Sequence, residues 1–483
     1  MSTWQFVDSI ASSPTVRLDL NSRSGGLMLA EDPDVSPPRT RSASVASMLA
    51  DGELMPARAF TNRVIRMTLQ LVDHTTKDLA AAKLQTLARE LTRPAGNFLR
   101  VTVATNAMFF RTLPAPDAAY NLLLNAAEWG SATIEIPCEP FGYGLRETLT
   151  GVSVTNNPAA GSNGMFFDIT SPKGDVECPL DLRIANDSTG LGATGRLVSM
   201  FSVRRRGTPS ATPFFLQAEA MTAGSNTSVQ ANSAAMSGSG SNYMQVASGA
   251  ASMATRLSTT TRFPTTSSVD ARGSYRVLAR CRQSATADVW DMRLQYGTTN
   301  VVITNDTVRL PTPASASNCF YVDLTPGQQL MQIPIGIDPV YDGISGVELP
   351  AEGNFLGVQI QHISGAGTLD VDVLLFPPAD DRLGYVKFPT VQNFSSDTFT
   401  VTGGPRPTVF CRNTAGDVSS VEPMENPGGG LMITPGRTNR IYYIRDVGTG
   451  TATLGGGDSV TASQYITASY TPRYLFPLKP ATT

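Results

Sequence analysis

Residues 62–72 read NRVIRMTLQLV, residues 76–91 read TKDLAAAKLQTLAREL, and residues 98–103 read FLRVTV. In the first stretch Ile65, Met67, Leu69 and Leu71 alternate with Arg66, Thr68 and Gln70. That period of two predicts a half-buried strand. In the second, Ala80, Leu84, Leu87, Ala88 and Leu91 fall on one helical stripe. Thr75 and Asp78 have capping-box spacing, and Pro94 with Gly96 ends the helix. A strand, one crossover helix and a further strand make this block α+β. The next strand signal is TIEIPCEPFGYG at 133–144.

On either side the pattern is short strands and turns. A strand at 15–20 precedes a polar turn region at 31–40, and strands at 152–154, 165–169, 180–184 and 197–203 are separated by turn clusters such as Ser171–Gly174. Residues 206–213 (RGTPSATP) read as a linker. The tract 221–261 is dense in Ser, Ala, Thr and Gly; Tyr243, Met244 and Val246 punctuate it, which favours long sandwich loops over disorder. Residues 273–282 (GSYRVLARCR) predict one strand with Tyr275, Val277, Ala279 and Cys281 inward. Further strands are expected at 287–296, 318–324, 328–335, 355–362 and 368–376, then an exit linker at 377–381. The last strands are expected at 398–401, 408–411, 430–433, 440–446 and 468–475. No repeat of fixed period is present, which argues against a solenoid or propeller.

Composition agrees with a mainly β protein of several domains. Among 483 residues there are 42 glycines and 33 prolines, with 16% charged and 41% hydrophobic side chains. A net charge of −3 argues against a general nucleic-acid binder, and the one dense basic run, Arg204–Arg206, reads as a solvated turn. The five cysteines are scattered without CxxC spacing and read as reduced, buried small hydrophobes. The N-terminus MSTWQFVDSIASS lacks the basic and apolar regions of a secretory signal. No run approaches the ~18 uninterrupted apolar residues of a membrane span.

Three places resemble the distal tail or minor tail proteins of long-tailed, siphovirus-like bacteriophages. The first is Asp51–Pro56 (DGELMP) leading into the strand and helix quoted above. The second is Glu135–Gly142 (EIPCEPFG), similar to the strand and turn that close the family's N-terminal domain. The third is LMITPGRTNR at 431–440 followed by SYTPRYL at 469–475, similar to the closing sandwich of such proteins. The resemblance implies an N-terminal α+β tail-ring domain at 1–145 followed by β-sandwich or jelly-roll domains. It also implies a virion protein of the tail tip, assembled in the host cytoplasm. Its partners would be copies of itself in a ring (a hexamer or trimer-related), the tail tube, and tip or baseplate proteins, with no nucleic acid and no membrane.

The middle of the chain, 208–384, resembles jelly-roll carbohydrate-binding modules. Its opening FFLQAEA at 214–220 is similar to their first strand, where an acidic residue often helps hold a structural calcium. That resemblance makes Glu219 and Asp372 the metal candidates, against a reading as solvated edge residues. Tyr243, Trp290 and Tyr296 are the candidates for stacking on a glycan, against the core role that strand aromatics commonly have. The module is expected as an insertion into a sandwich formed by 146–207 and 385–483, a linear row of three sandwiches being the competing arrangement. It would face host cell-wall glycans or neighbouring tail proteins.

No catalytic residue is expected. His74 and His362 are the only histidines, and neither lies near a nucleophile-elbow sequence. Gly428–Gly430 and Gly455–Gly457 lack a phosphate loop's lysine and following helix. Acid pairs such as Asp380 with Asp381, or Glu422 with Glu425, leave glycoside hydrolysis as an alternative. The rival reading from another class is a secreted carbohydrate-binding protein or β-sandwich glycosidase.

Overall fold

Alternation in residues 63–71 produces the strand Arg63–Leu71, whose Ile65, Met67, Leu69 and Leu71 are all buried. This computed structural model describes residues 2–35, 37–46, 53–72, 76–94, 97–103, 106–114, 121–126, 129–149, 155–156, 165–185, 196–203, 215–231, 242–259, 273–298, 302–313, 319–326, 329–333, 354–376, 385–387, 398–404, 408–412, 417–421, 430–446 and 466–475. The fold is mainly β, with one α-helix among the described residues. The chain divides into two compact units.

The first unit is Met1–Glu147 together with Pro172–Cys178 and Tyr470–Thr483. Its antiparallel sheet runs Val16–Asp19, Thr3–Val7, Phe98–Val103, Asn106–Thr112, Trp129–Tyr143, Arg63–Leu71, Leu27–Leu29. Asn121–Ala126 and Arg473–Tyr474 also pair with the long strand Trp129–Tyr143. Ile136 faces Ile65 and Ile134 faces Met67 across the central pair. The sheet's apolar face buries Trp4, Phe6, Leu99 and Phe110 with these residues.

The helix Lys77–Leu91 covers that core with Leu87 and Leu91, each contributing about 2 kcal/mol of apolar burial. Its N-cap is Thr76, whose hydroxyl accepts from the Leu79 N–H at 3.3 Å, rather than the expected Thr75, which lies outside the described residues. Gly142 sits where the long strand's register with Asn106–Thr112 shifts. A Cβ there would meet Met108 Sδ at 2.4 Å, so only glycine lets the strands close. The hairpin Thr40–Ala46 with Glu53–Phe60 forms a two-stranded sheet of its own.

The second unit is Thr148–Ser171 with Pro179–Ser469. Strands on either side of its middle pair with each other: Cys178–Ala185 with Thr398–Val401, Met165–Ile169 with Asn439–Asp446, and Arg196–Val203 with both Tyr385–Lys387 and Asn439–Asp446. Strands between residues 215 and 376 pair only among themselves among the described residues. One of their sheets runs Thr227–Gln230, Tyr243–Val246, Leu369–Leu375, Leu278–Gln283, Cys319–Asp323, with Phe215–Gln217 also on Leu369–Leu375. The other runs Thr222–Ala223, Ala254–Thr259, Asn354–Ser364, Val289–Thr298, Val302–Thr304, with Val308–Arg309 on Val289–Thr298. Trp290, Met292, Leu294, Val358, Ile360, Val371 and Val373 belong to the one core built from both.

Several local expectations change. The stretch 273–282 is two strands, Gly273–Tyr275 and Leu278–Gln283, which join different sheets. The break occurs because Arg276 donates to the Thr325 carbonyl while Val277 N–H bonds the Thr325 hydroxyl. Within the Ser-rich tract lie the strands Thr222–Ala223, Thr227–Gln230, Tyr243–Val246 and Ala254–Thr259 rather than long loops alone, because ladder pairing there outweighs composition. The final expected strand is split into Ile466–Tyr470 and Arg473–Tyr474 around Pro472, which has no ladder N–H to give. The expected strand at 152–154, both linkers, Arg204–Arg206, His74, Gly455–Gly457 and the two acid pairs lie outside the described residues.

Candidate functional site

The metal candidates come together in the middle sandwich. Phe215–Gln217 pairs with Leu369–Leu375, placing Gln217 opposite Val373, and the chain then makes a 3-10 turn at Ala218–Ala220 that carries Glu219. Asp372 lies on Leu369–Leu375, a strand whose residues are all buried. Its Oδ2 accepts from Arg280 Nη1 at 2.8 Å, with Asp372 1% and Arg280 2% exposed. Two residues along, Asp370 is held by Arg282 at 2.6 Å and by Gln245 at 2.9 Å. The Arg282 guanidinium also lies 5.9 Å from the Tyr243 ring centroid.

Burial pushes the Glu219 carboxyl up to about 7; a hydrogen bond to its own backbone opposes this, and the neighbouring Asp372 charge adds to it. Glu219 Oε2 is buried without a hydrogen-bond partner. The donor set does not fit calcium, which takes about six to eight oxygens. Two carboxylates are present, and one of them is already bound to a guanidinium. Among the described residues no three His, Cys, Asp or Glu side chains come together. The cluster places a half-buried carboxyl with a raised proton affinity beside a buried ion pair.

The three aromatic candidates are core residues. Trp290 is 0% exposed and packs against His362 at 4.4 Å between ring centroids. Tyr296 belongs to the same core and its hydroxyl donates to the Leu330 carbonyl at 3.1 Å. Tyr243 is buried on the other sheet. A ring enclosed on its faces cannot stack on a sugar, so these positions are corrected to packing roles. They followed the strand alternation inward, which carried more information than their aromatic character. Arg280, the partner of Asp372, was missed, although its place between inward Ala279 and Cys281 sets it on the face that Asp372 shares.

His362, the one histidine among the described residues, is likewise enclosed. Its Nε2 and the Trp290 Nε1 are buried without hydrogen-bond partners among the described residues. No helix among the described residues is long and apolar enough to cross a membrane.

No protein-family model matches the sequence, and no curated protein matches it. Among solved structures, the Dit protein of phage SPP1, described as a paradigm of hub adsorption apparatus in phages infecting Gram-positive bacteria, is 8% identical. Its TM-score is 0.34 over 98% of this chain and 99% of that one. A chain of the phage p2 baseplate in its activated conformation with strontium is 11% identical, with a TM-score of 0.27 over 41% of this chain and 72% of that chain. A chain of that baseplate with calcium is 8% identical, with a TM-score of 0.24 over 77% and 98%. Scores of this size do not establish a shared architecture.

Proposed function

We propose that this chain is a structural virion protein of a phage tail tip or baseplate, without catalytic activity. It would assemble as a ring that joins the tail tube to the tip. The observation that carries the reading is the meeting of separately quoted sequence segments within the first unit. Arg63–Leu71, with its following helix, pairs with the strand containing Glu135–Gly142, and that strand in turn pairs Gly142 with Tyr474. Three of the segments that resemble the tail family, Arg63–Leu71, the strand with Glu135–Gly142 and Arg473–Tyr474, therefore belong to one sheet, though they are widely separated in sequence.

The separate hairpin Thr40–Ala46 with Glu53–Phe60 supports self-association. A two-stranded ribbon is marginal in water, and packing against a neighbouring copy would add to the contact that Phe60 makes with Phe141. Head-to-tail contacts that close produce a ring.

In this reading the middle sandwich is a jelly-roll module inserted into the sandwich made by strands before residue 204 and after residue 384. The pairing of those flanking strands across the gap supports the insertion. The module would contact the host surface or neighbouring tail proteins.

Light scattering and negative-stain imaging of the full chain test the assembly. Closed rings are expected, lost when 40–60 is replaced by a Gly/Ser linker. A monomer at high concentration, in the presence and absence of purified tail tubes, overturns the ring.

A further inference from the structure

We infer that the outer face of the sheet Ala254–Thr259, Asn354–Ser364, Val289–Thr298 and Val302–Thr304 binds a carboxylate-bearing saccharide. This deepens the surface-contact part of the reading above and rests on it. The face is defined by alternation. Trp290, Met292, Leu294 and Tyr296 point into the core, as do Leu356, Val358 and Ile360, so Arg293, Gln295, Phe355, Gly357 and Gln359 lie on the opposite side.

At the centre of that side is Gly357, which faces Gln295 on one strand and Ser258 on the other. It leaves a place with no side chain, and the Phe355 ring folds over it. A Cβ built on Gly357 would stand 2.9 Å from Phe355 Cζ and 3.2 Å from Thr255 Cγ2. Phe355 itself faces Gly297, a second position without a side chain, and is only half-buried. An aromatic ring thus lies along a polar sheet face, opposite a glycine on Val289–Thr298, unlike the three enclosed aromatics.

Around the ring are groups that pair with hydroxyls. Thr255 donates to Gln295 Oε1 at 2.8 Å, and Gln359 bonds both Thr255 and Arg293. These bonds fix the amides in place while leaving each with further donor or acceptor capacity. The charge on the face is also informative. Asp291 is neutralised by Arg309, but Arg293 bonds only the neutral amide of Gln359 among the described residues. Its two Nη groups remain for a planar oxyanion, which a guanidinium binds through paired hydrogen bonds. An apolar sugar face on Phe355, ring hydroxyls on Gln295, Gln359 and Thr255, and a carboxylate on Arg293 satisfy all of these at once.

Affinity electrophoresis of the full chain in gels containing polygalacturonate, alginate or hyaluronate, with neutral dextran as the reference, tests this. Retardation by at least one acidic polymer and not by dextran is expected. Phe355→Ala and Arg293→Gln should each weaken it by at least about tenfold, the scale of one lost charge-assisted contact. Gly357→Ala, which displaces the ring, should weaken it in the same direction, while Val418→Ser on a different sheet should leave it unchanged. Thermal melts of each variant show whether the fold is kept. Absence of retardation by all three polymers overturns the inference, as does retardation that Phe355→Ala and Arg293→Gln both leave intact. The result is read independently of oligomeric state: rings without saccharide binding refute this inference alone, and binding by a monomer refutes the ring alone.

Discussion

Glu219→Gln should change how the middle sandwich depends on pH. The Glu219 carboxyl is raised from 4.5 to about 7, first by burial and then by Asp372. An acid with a raised folded pKa holds its proton more tightly in the folded state. Its stabilising contribution is therefore full below about pH 4.5 and is lost as pH rises toward 7. A rise of this size corresponds to about 3 kcal/mol, and solvent at a half-buried carboxyl reduces it to about 1–2 kcal/mol. Glutamine cannot ionise, so the stability difference between variant and wild type should grow by that amount from pH 4.5 to 8, whatever constant offset the amide introduces. The assay is denaturant unfolding followed by Trp290 fluorescence in a background with Trp4→Phe and Trp129→Phe. Trp290 is then the sole tryptophan and reports the middle sandwich alone. Adding Asp372→Asn should shift the Glu219 titration downward. Parallel pH profiles for wild type and Glu219→Gln would refute the buried-proton account.

Other substitutions test the first unit and the thiols. Arg63 donates to the carbonyls of Pro140 and Leu475, both at 2.9 Å, and sits 5.2 Å from the Phe110 ring centroid. Arg63→Lys keeps the charge but loses the fork, and should cost about 2–3 kcal/mol and speed proteolysis near residue 475, read by limited digestion. Thr76→Ala removes the helix cap and should cost about 1 kcal/mol in thermal unfolding. Burial pushes the Cys138 thiol up and the Cys178 thiol up to about 12. Neither should react with a thiol reagent at pH 8 in the native protein, while both should do so in denaturant, as mapped by mass spectrometry.

The early strand and helix were readable because one face of each is apolar over many residues. Ile65 to Leu71 and Leu87 to Leu91 repeat at the periods the two geometries impose, and all end in the core. Thr76 rather than Thr75 as cap is the one-residue error that adjacent hydroxyls invite, since either has the right chemistry and only backbone geometry selects between them. Pairing between distant segments was less visible. Nothing local in Arg473–Tyr474 says that it will join Gly142–Tyr143, because a two-residue ladder has no periodicity to detect.

The acidic and aromatic candidates show a further limit of local reading. Alternation tells which residues share a face, but it does not tell whether that face meets solvent. In Leu369–Leu375 every position is buried, so the polar half of the alternation, Asp370 and Asp372, had to be matched by Arg282 and Arg280 from the next strand rather than by water. The mirror case is Asn354–Ser364, where Gly357 faces Gln295 and Phe355 faces Gly297. Together they do something neither suggests alone: the missing side chain gives the ring a place to lie on the polar face. The same period-two signal thus yields a sealed charge ladder in one sheet and a half-open aromatic platform in the other. The difference is set by how much of each outer face the fold covers, which no window of a few residues contains.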